Sequence, residues 1–232
     1  MKNRKVKRRI KLKPKFFLNC LIIIIIIIII KNKDSLSMLL NNINKVKVPE
    51  YYSTIDNNNN SIPDCEDIVI KARQEVKNKT KYEDNYYIDG YPPDDEGVCT
   101  DVIWRAFESI NVNLKDNIDK DIMENTDNYY WVDTIDPNID FRRVPNLYVY
   151  LENNAESLDC ELIPENPDNL STWQRGDIVV FLKPFQHIAI ISDRRTRDGV
   201  PYIIHNTPPH AIENSSLEKW KDNIAGHYRW KY

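Results

Sequence analysis

From residue 176 onward the chain carries four short runs of β-branched and aromatic residues, and these limit its fold more than any other feature. They are Ile178–Val179–Val180–Phe181, Ile188–Ala189–Ile190–Ile191, Tyr202–Ile203–Ile204 and His227–Tyr228–Arg229–Trp230, separated by turn material such as Pro184 and Asp198–Gly199. Upstream, apolar residues recur at helical spacing instead. Ile68, Val69, Ala72 and Val76 predict a helix over about 65–79. Val102, Ile103, Ala106, Phe107 and Ile110 form the strongest apolar stripe, on a helix starting at or just before Cys99. A polar helix is expected near 116–125, and another through Val144, Leu147, Tyr148 and Leu151. Tyr82 to Asp95 is aromatic and acidic, and Gly90 and Pro92–Pro93 mark it as a loop. Helices first and strands later, with short connections, predict an α+β fold with a mostly antiparallel sheet.

The N-terminus obeys different rules. Residues 1–15 hold nine basic side chains and no acid, and residues 16–30 are apolar except for Asn19, ending in nine isoleucines. A basic cluster before an apolar run is the pattern of a signal peptide or signal anchor, with the basic stub kept in the cytoplasm. Fifteen helical residues rise about 22 Å, short of the roughly 30 Å hydrocarbon core, although Lys15 and Lys31 can snorkel. Charged residues after the run and the lack of an Ala-x-Ala site favour a retained anchor at the cell membrane; secretion after cleavage is the alternative. Removing those nine charges from the overall −3 leaves −12 on residues 31–232, so the exported part is acidic. Residues 31–63, rich in Asn, Lys and Ser with Asn57 to Asn60 in a row, read as a flexible tether. One domain is expected over 64–232. The whole chain's 41% hydrophobic content supports a packed core and excludes wholesale disorder. The net charge gives no reason to expect nucleic-acid binding, and the expected state is a monomer.

Three cysteines lie beyond the apolar run: Cys65, Cys99 and Cys160. An odd number in an exported chain leaves one thiol unpaired; Cys65 and Cys160 are candidates for a disulfide. Cys99 is the candidate nucleophile, because amides at a helix start and the helix dipole stabilise a thiolate. A thiolate needs a base, and there are four histidines: His187, His205, His210 and His227. His187 opens one strand and His205 closes the next, so antiparallel pairing would bring the rings together. Arg142 and Arg143 are candidates for binding a substrate carboxylate, although arginine pairs are usually ion-paired or solvated. Asp133, Asp136 and Asp140 lack calcium-loop spacing. Zinc on Cys99, His187 and His205 lacks any supporting motif, so no metal or cofactor is expected. Trp173, Trp220 and Trp230 read as core or rim aromatics.

A helix-start Cys99, then Gly176–Asp177–Ile178–Val179–Val180–Phe181, His187–Ile188–Ala189–Ile190 and Ile203–Ile204–His205, resembles the NlpC-type papain-like cell-wall peptidases. More closely, Gly97–Val98–Cys99–Thr100–Asp101–Val102, Asp140 to Leu147, His205–Asn206 and Gly226–His227–Tyr228–Arg229 resemble the bacterial domain-of-unknown-function family 1287, associated with the same superfamily. The resemblance spans 64–232. It implies a papain-like fold with Cys99 as nucleophile, His187 as base and then acid, and His205 (alternatively Asn206) orienting His187. It further implies an exported hydrolase that cuts amide bonds of peptidoglycan stem peptides through a thioester. The Cys99 amide would be one oxyanion donor; the sequence does not identify the second, for which the loop from Tyr86 to Tyr91 is one candidate place. Alternatives on the same fold are an acyltransferase, thioesterase or lipid-acting enzyme, and a non-catalytic envelope-binding module.

Overall fold

The structure is a computed structural model describing residues 45–231. The basic stub, the apolar run and the first part of the expected tether lie outside the described residues. Among the described residues no helix is long and apolar enough to cross a membrane.

The body alternates helices and strands early and is nearly all strand late. Helices α1 (Asp64–Asn78), α2 (Cys99–Glu108), α3 (Leu114–Glu124) and α4 (Val144–Asn154) fall where the sequence predicts them, α3 as the polar helix expected near 116–125 and the others from apolar spacing. The strands are β1 (Lys81–Tyr82), β2 (Glu96–Gly97), β3 (Glu156–Leu158), β4 (Ile178–Phe181), β5 (His187–Arg195), β6 (Pro201–Thr207), β7 (His210–Asn214) and β8 (Ile224–Arg229). Two short helices, α5 (Pro167–Leu170) and α6 (Ser216–Trp220), complete the set. The strands form one sheet in the order β2-β1-β7-β6-β5-β4-β8-β3. Only the β1–β2 pair is parallel. The protein is therefore α+β with a mixed sheet.

Both faces of the central strands are covered. Ile178, Val180, Ile188, Ile190 and Ile204 join the core built by α1–α4, while Val179, Phe181, Ala189, Ile191 and Ile203 pack with Leu170, Trp173 and Leu217. Strands buried on both faces read as unbroken apolar runs rather than alternating ones, which is why β4 and the start of β5 stand out in the sequence.

The tether reading does not describe residues 46–63, which lie on the body. Val46 N–H donates to Arg197 O (3.0 Å), and Tyr51 N–H to Gln174 Oε1 (3.0 Å). The Asn run is a folded turn against α1: Asn58 and Asn60 both donate to Asp67 Oδ2, at 2.6 and 2.8 Å. Asn favours such turns because its amide substitutes for backbone partners. Composition alone cannot separate that use from solvation. The candidate disulfide between Cys65 and Cys160 is not formed; both are free thiols. Cys65 sits at the start of α1 beside Arg175 and Ser53, whereas Cys160 follows β3 near Leu158 O and His227.

Candidate active site

Cys99 is the first residue of α2 and is 6% exposed. Its seat is built by Asp101, two residues on. Asp101 Oδ2 accepts the Val98 N–H (2.6 Å), capping an open amide of the helix start, and Oδ1 accepts the Trp104 Nε1–H (2.7 Å). Arg142 grips the same carboxylate with Nε on Oδ1 and Nη2 on Oδ2, both at 2.8 Å, and its Nη1 donates to Asn85 O. Thr100 Oγ1 adds a bond to Arg142 O (2.8 Å). The preceding residue has to be glycine. Gly97 has φ +152°, and a Cβ there would lie 2.7 Å from Asp101 Oδ2.

The histidines meet as strand pairing predicts. In the β5–β6 register Ile190 faces Ile204 and Ile191 faces Ile203. Continued toward the strand end, that register sets His205 opposite Ala189, diagonal to His187. The small Ala189 side chain leaves room between them, and His187 Nε2 lies 2.7 Å from His205 Nδ1. His187 Nδ1 has no hydrogen bond among the described residues. His205 Nε2 is buried with no bond of normal geometry, although the Asn214 amide lies near enough to favour its protonated form. Burial, and for His187 the charge of His205 as well, hold the rings down to about 3 (His187) and about 4 (His205). Both are neutral near pH 7.

Asn206 does not orient His187. Successive strand residues point to opposite faces, and its amide instead donates to Gly97 O (2.9 Å) and Lys81 O (3.2 Å). It holds the turn that leads into Cys99.

Alternation places the histidine rings in the row of Ala189, Ile191 and Ile203, whereas Cys99 belongs to the core on the other side. The thiol approaches at the strand end, near enough to the Ile188 amide, one residue from His187, for that amide to favour the thiolate. No hydrogen bond joins the sulfur to either ring. The thiolate expected from the helix start is opposed. Burial first, and then the Asp101 charge, push the thiol up to about 12 despite amide bonds from Ile188, Thr100 and Cys99 itself. At a largely buried sulfur, loss of hydration outweighs the helix amides. The resting pair is thiol and neutral imidazole.

A cavity of about 430 Å³ opens on Cys99, lined also by Tyr82, Asp84, Trp131, Arg142, Arg143 and Gln186. Arg142 borders it, but its side chain is 1% exposed and committed to Asp101, so it does not serve as a free carboxylate receptor. Arg143 is 42% exposed and holds only Asp140, at 3.1 Å. The Tyr86–Tyr91 loop does not supply a phenol beside the sulfur. Tyr86 Oη bonds Asp136, Tyr87 Oη bonds Glu96, and Tyr91 packs on Trp104 and Phe141. Tyr82 does line the cavity together with Cys99, its hydroxyl pushed up by burial first and then by the Cys99 charge. It lies in a two-residue strand without a sequence signature, whereas Gln186 was findable from its position before His187. Trp131, 59% exposed, carries no period that marks it.

The Gly226–Arg229 stretch proves structural. Asp177 receives Arg229 Nε and Nη2 (2.8 and 2.7 Å) and lies 3.1 Å from His227 Nε2, and the His227 ring stacks on Trp173. Among the described residues no group of three His, Cys, Asp or Glu is placed to hold a metal ion.

Compared with known proteins, the chain matches the family described as Domain of unknown function (DUF1287) over residues 69–230. It is 34% identical over 168 residues to the Uncharacterized protein YijF of Escherichia coli (strain K12), covering 68% of this chain and 78% of YijF.

Proposed function

This chain belongs to the DUF1287 family, and from that premise we propose that it is a cysteine hydrolase of papain-like, NlpC-type fold that cuts amide bonds in peptidoglycan stem peptides outside the cytoplasm, held at the membrane by residues 16–30. One observation carries the reading. A helix-start thiol in a cavity lies near the Ile188 amide, and Ile188 follows a histidine whose far nitrogen is held by a second histidine at 2.7 Å. In papain-like chemistry the base is fixed on one ring nitrogen and works with the other.

With thiol and imidazole both neutral at rest, the proton moves during attack. Cys99 Sγ bonds the carbonyl carbon, its proton passes to His187 Nδ1, and the carbonyl π pair moves onto oxygen. The Cys99 amide is the donor at the helix start for that oxyanion, and Tyr82, which lines the same cavity, is the candidate for a second. The imidazolium then protonates the amine as the C–N bond breaks. Water, deprotonated by His187, attacks the thioester and releases the thiol. Arg143 is the cationic side chain positioned for a substrate carboxylate.

Purified full-length protein is expected to release soluble muropeptides from sacculi, measured by mass spectrometry, and Cys99→Ala to release none. Full activity in Cys99→Ala would sink the mechanism. Acylation of Cys99 by lipid donors with no release of wall fragments would assign the thiol to acyl transfer instead.

A further inference from the structure

His205 is held by little that is polar. Its single hydrogen bond goes to His187, and its outer nitrogen is buried without one of normal geometry. Strand position fixes where the ring starts but not how it is turned. Its orientation must therefore come from packing.

That packing is Trp220. The indole lies 5.5 Å from the His187 ring and 5.5 Å from the His205 ring, at 81° and 82°. The two imidazoles are themselves 4.9 Å apart at 88°, so three rings meet almost mutually perpendicular. Trp220 is the last residue of α6, whose Leu217 is fully buried in the core on that face. Asn214 Oδ1 takes the Ser216 N–H (2.9 Å), tying the helix to the end of β7 beside β6. Phe185 and Phe181 brace the indole at 5.2 and 5.5 Å. Besides the Asn214 amide, which lies near His205, the polar groups around the pair are few. His205 is the charge that acts on His187. Glu218, Lys219, Lys221 and Asp222 on α6 and the following turn, Lys183 before β5, and Glu213 on β7 make no hydrogen bond or ion pair with either ring. Across the sheet, Asp101 is committed to Arg142.

We propose that Trp220 is a positioning residue for the histidine pair: its indole seals the α6 side of both rings and fixes their tautomers. The base role rests on the hydrolase reading; the tautomer argument adds what that role requires. For His187 Nδ1 to accept a proton, Nε2 must carry the hydrogen and donate it to His205 Nδ1. His205 Nδ1 is then the acceptor and its Nε2 carries hydrogen. The nearby Asn214 amide favours hydrogen on the His205 ring, whereas water admitted beside the pair could donate to Nε2 and reverse the relay. Dryness on the Trp220 side thus selects the tautomer in which His187 offers its lone pair at Nδ1. It also withholds hydration from the charged rings, consistent with their depressed protonation.

The test is ¹⁵N imidazole NMR on the full-length protein, which needs no substrate. Wild type is expected to show both rings neutral at pH 7 and hydrogen-bearing at Nε2. In Trp220→Ala, His187 should titrate at least one pH unit higher and His205 should show mixed tautomers; Trp220→Phe should keep the wild-type pattern. If the alanine variant does not fold, Trp220→Gln is read in its place with the same expectation. A folded Ala or Gln variant with unchanged midpoints and a single Nε2–H tautomer overturns the proposal. In the sacculus assay Trp220→Ala should lower kcat at least tenfold with KM unchanged. If wild type releases nothing from sacculi, the hydrolase reading fails while the NMR result still decides the role of Trp220.

Discussion

Replacing Arg142 with leucine tests what holds the nucleophile's helix in place. The Asp101 and Arg142 side chains are each 1% exposed and joined by two 2.8 Å bonds. Without the guanidinium, the buried carboxylate keeps only the Val98 and Trp104 N–H donors, and Asn85 O loses its partner. Breaking a buried pair from one side costs about 3–5 kcal/mol, because the remaining charge stays desolvated. An exposed pair such as Lys120–Glu124, 3.9 Å apart with side chains 70% and 61% exposed, is worth about 0–1 kcal/mol. At about 2–4 °C per kcal/mol for a domain of this size, the melting midpoint of Arg142→Leu should fall by roughly 6–20 °C. The Asp101→Leu/Arg142→Leu double variant removes both charges but strands the Val98 and Trp104 donors. It should therefore cost clearly less than the two single variants added together, with a residual of about 2–6 kcal/mol for two unsatisfied N–H groups. Urea and thermal unfolding of the full-length protein measure all three. A loss below about 1 kcal/mol in Arg142→Leu, or strict additivity in the double variant, would refute the claim that this pair is a buried anchor.

Two further outcomes follow from the site. His187 and His205 are held to about 3 and about 4 when folded, against an ordinary value of 6.5, so below pH 6.5 the unfolded chain binds more protons. Stability attributable to the pair should be complete above pH 6.5 and fall as pH drops toward 4, by up to about 1.4 kcal/mol per pH unit for each ring. Urea titrations between pH 4.5 and 7.5 should give a flatter profile for His187→Gln/His205→Gln than for wild type, and equal slopes would exclude buried neutral rings. Gly97→Ala should destabilise by about 1–3 kcal/mol, because the alanine must adopt a strained backbone and meet the Asp101 carboxylate. An alanine variant within about 0.5 kcal/mol of wild type in urea would show that the turn relaxes freely.

Much of the protein was legible in one dimension because its signals are local. Helical spacing located α1, α2 and α4, unbroken apolar runs located β4 and the start of β5, and a cysteine just ahead of an apolar stripe marked the first residue of α2. The histidine contact was also readable, since antiparallel pairing of consecutive strands fixes which ends meet. What stayed hidden depends on partners distant in sequence. Two-residue strands such as β1 carry no period, so Tyr82 could not be placed beside Cys99. Arg142 looked like a free cation until its carboxylate, 41 residues earlier, appeared beside it. Asn206 differed from His205 only by the face of the strand it occupied. The protonation of the thiol was least accessible of all. A helix start argues for a thiolate, but burial is a property of the assembled core, and at Cys99 burial prevails. Sequence by itself set the elements, their order and the reactive residue types. Tertiary structure alone decided which charges are spent on each other, which rings are kept dry and, therefore, where protons rest.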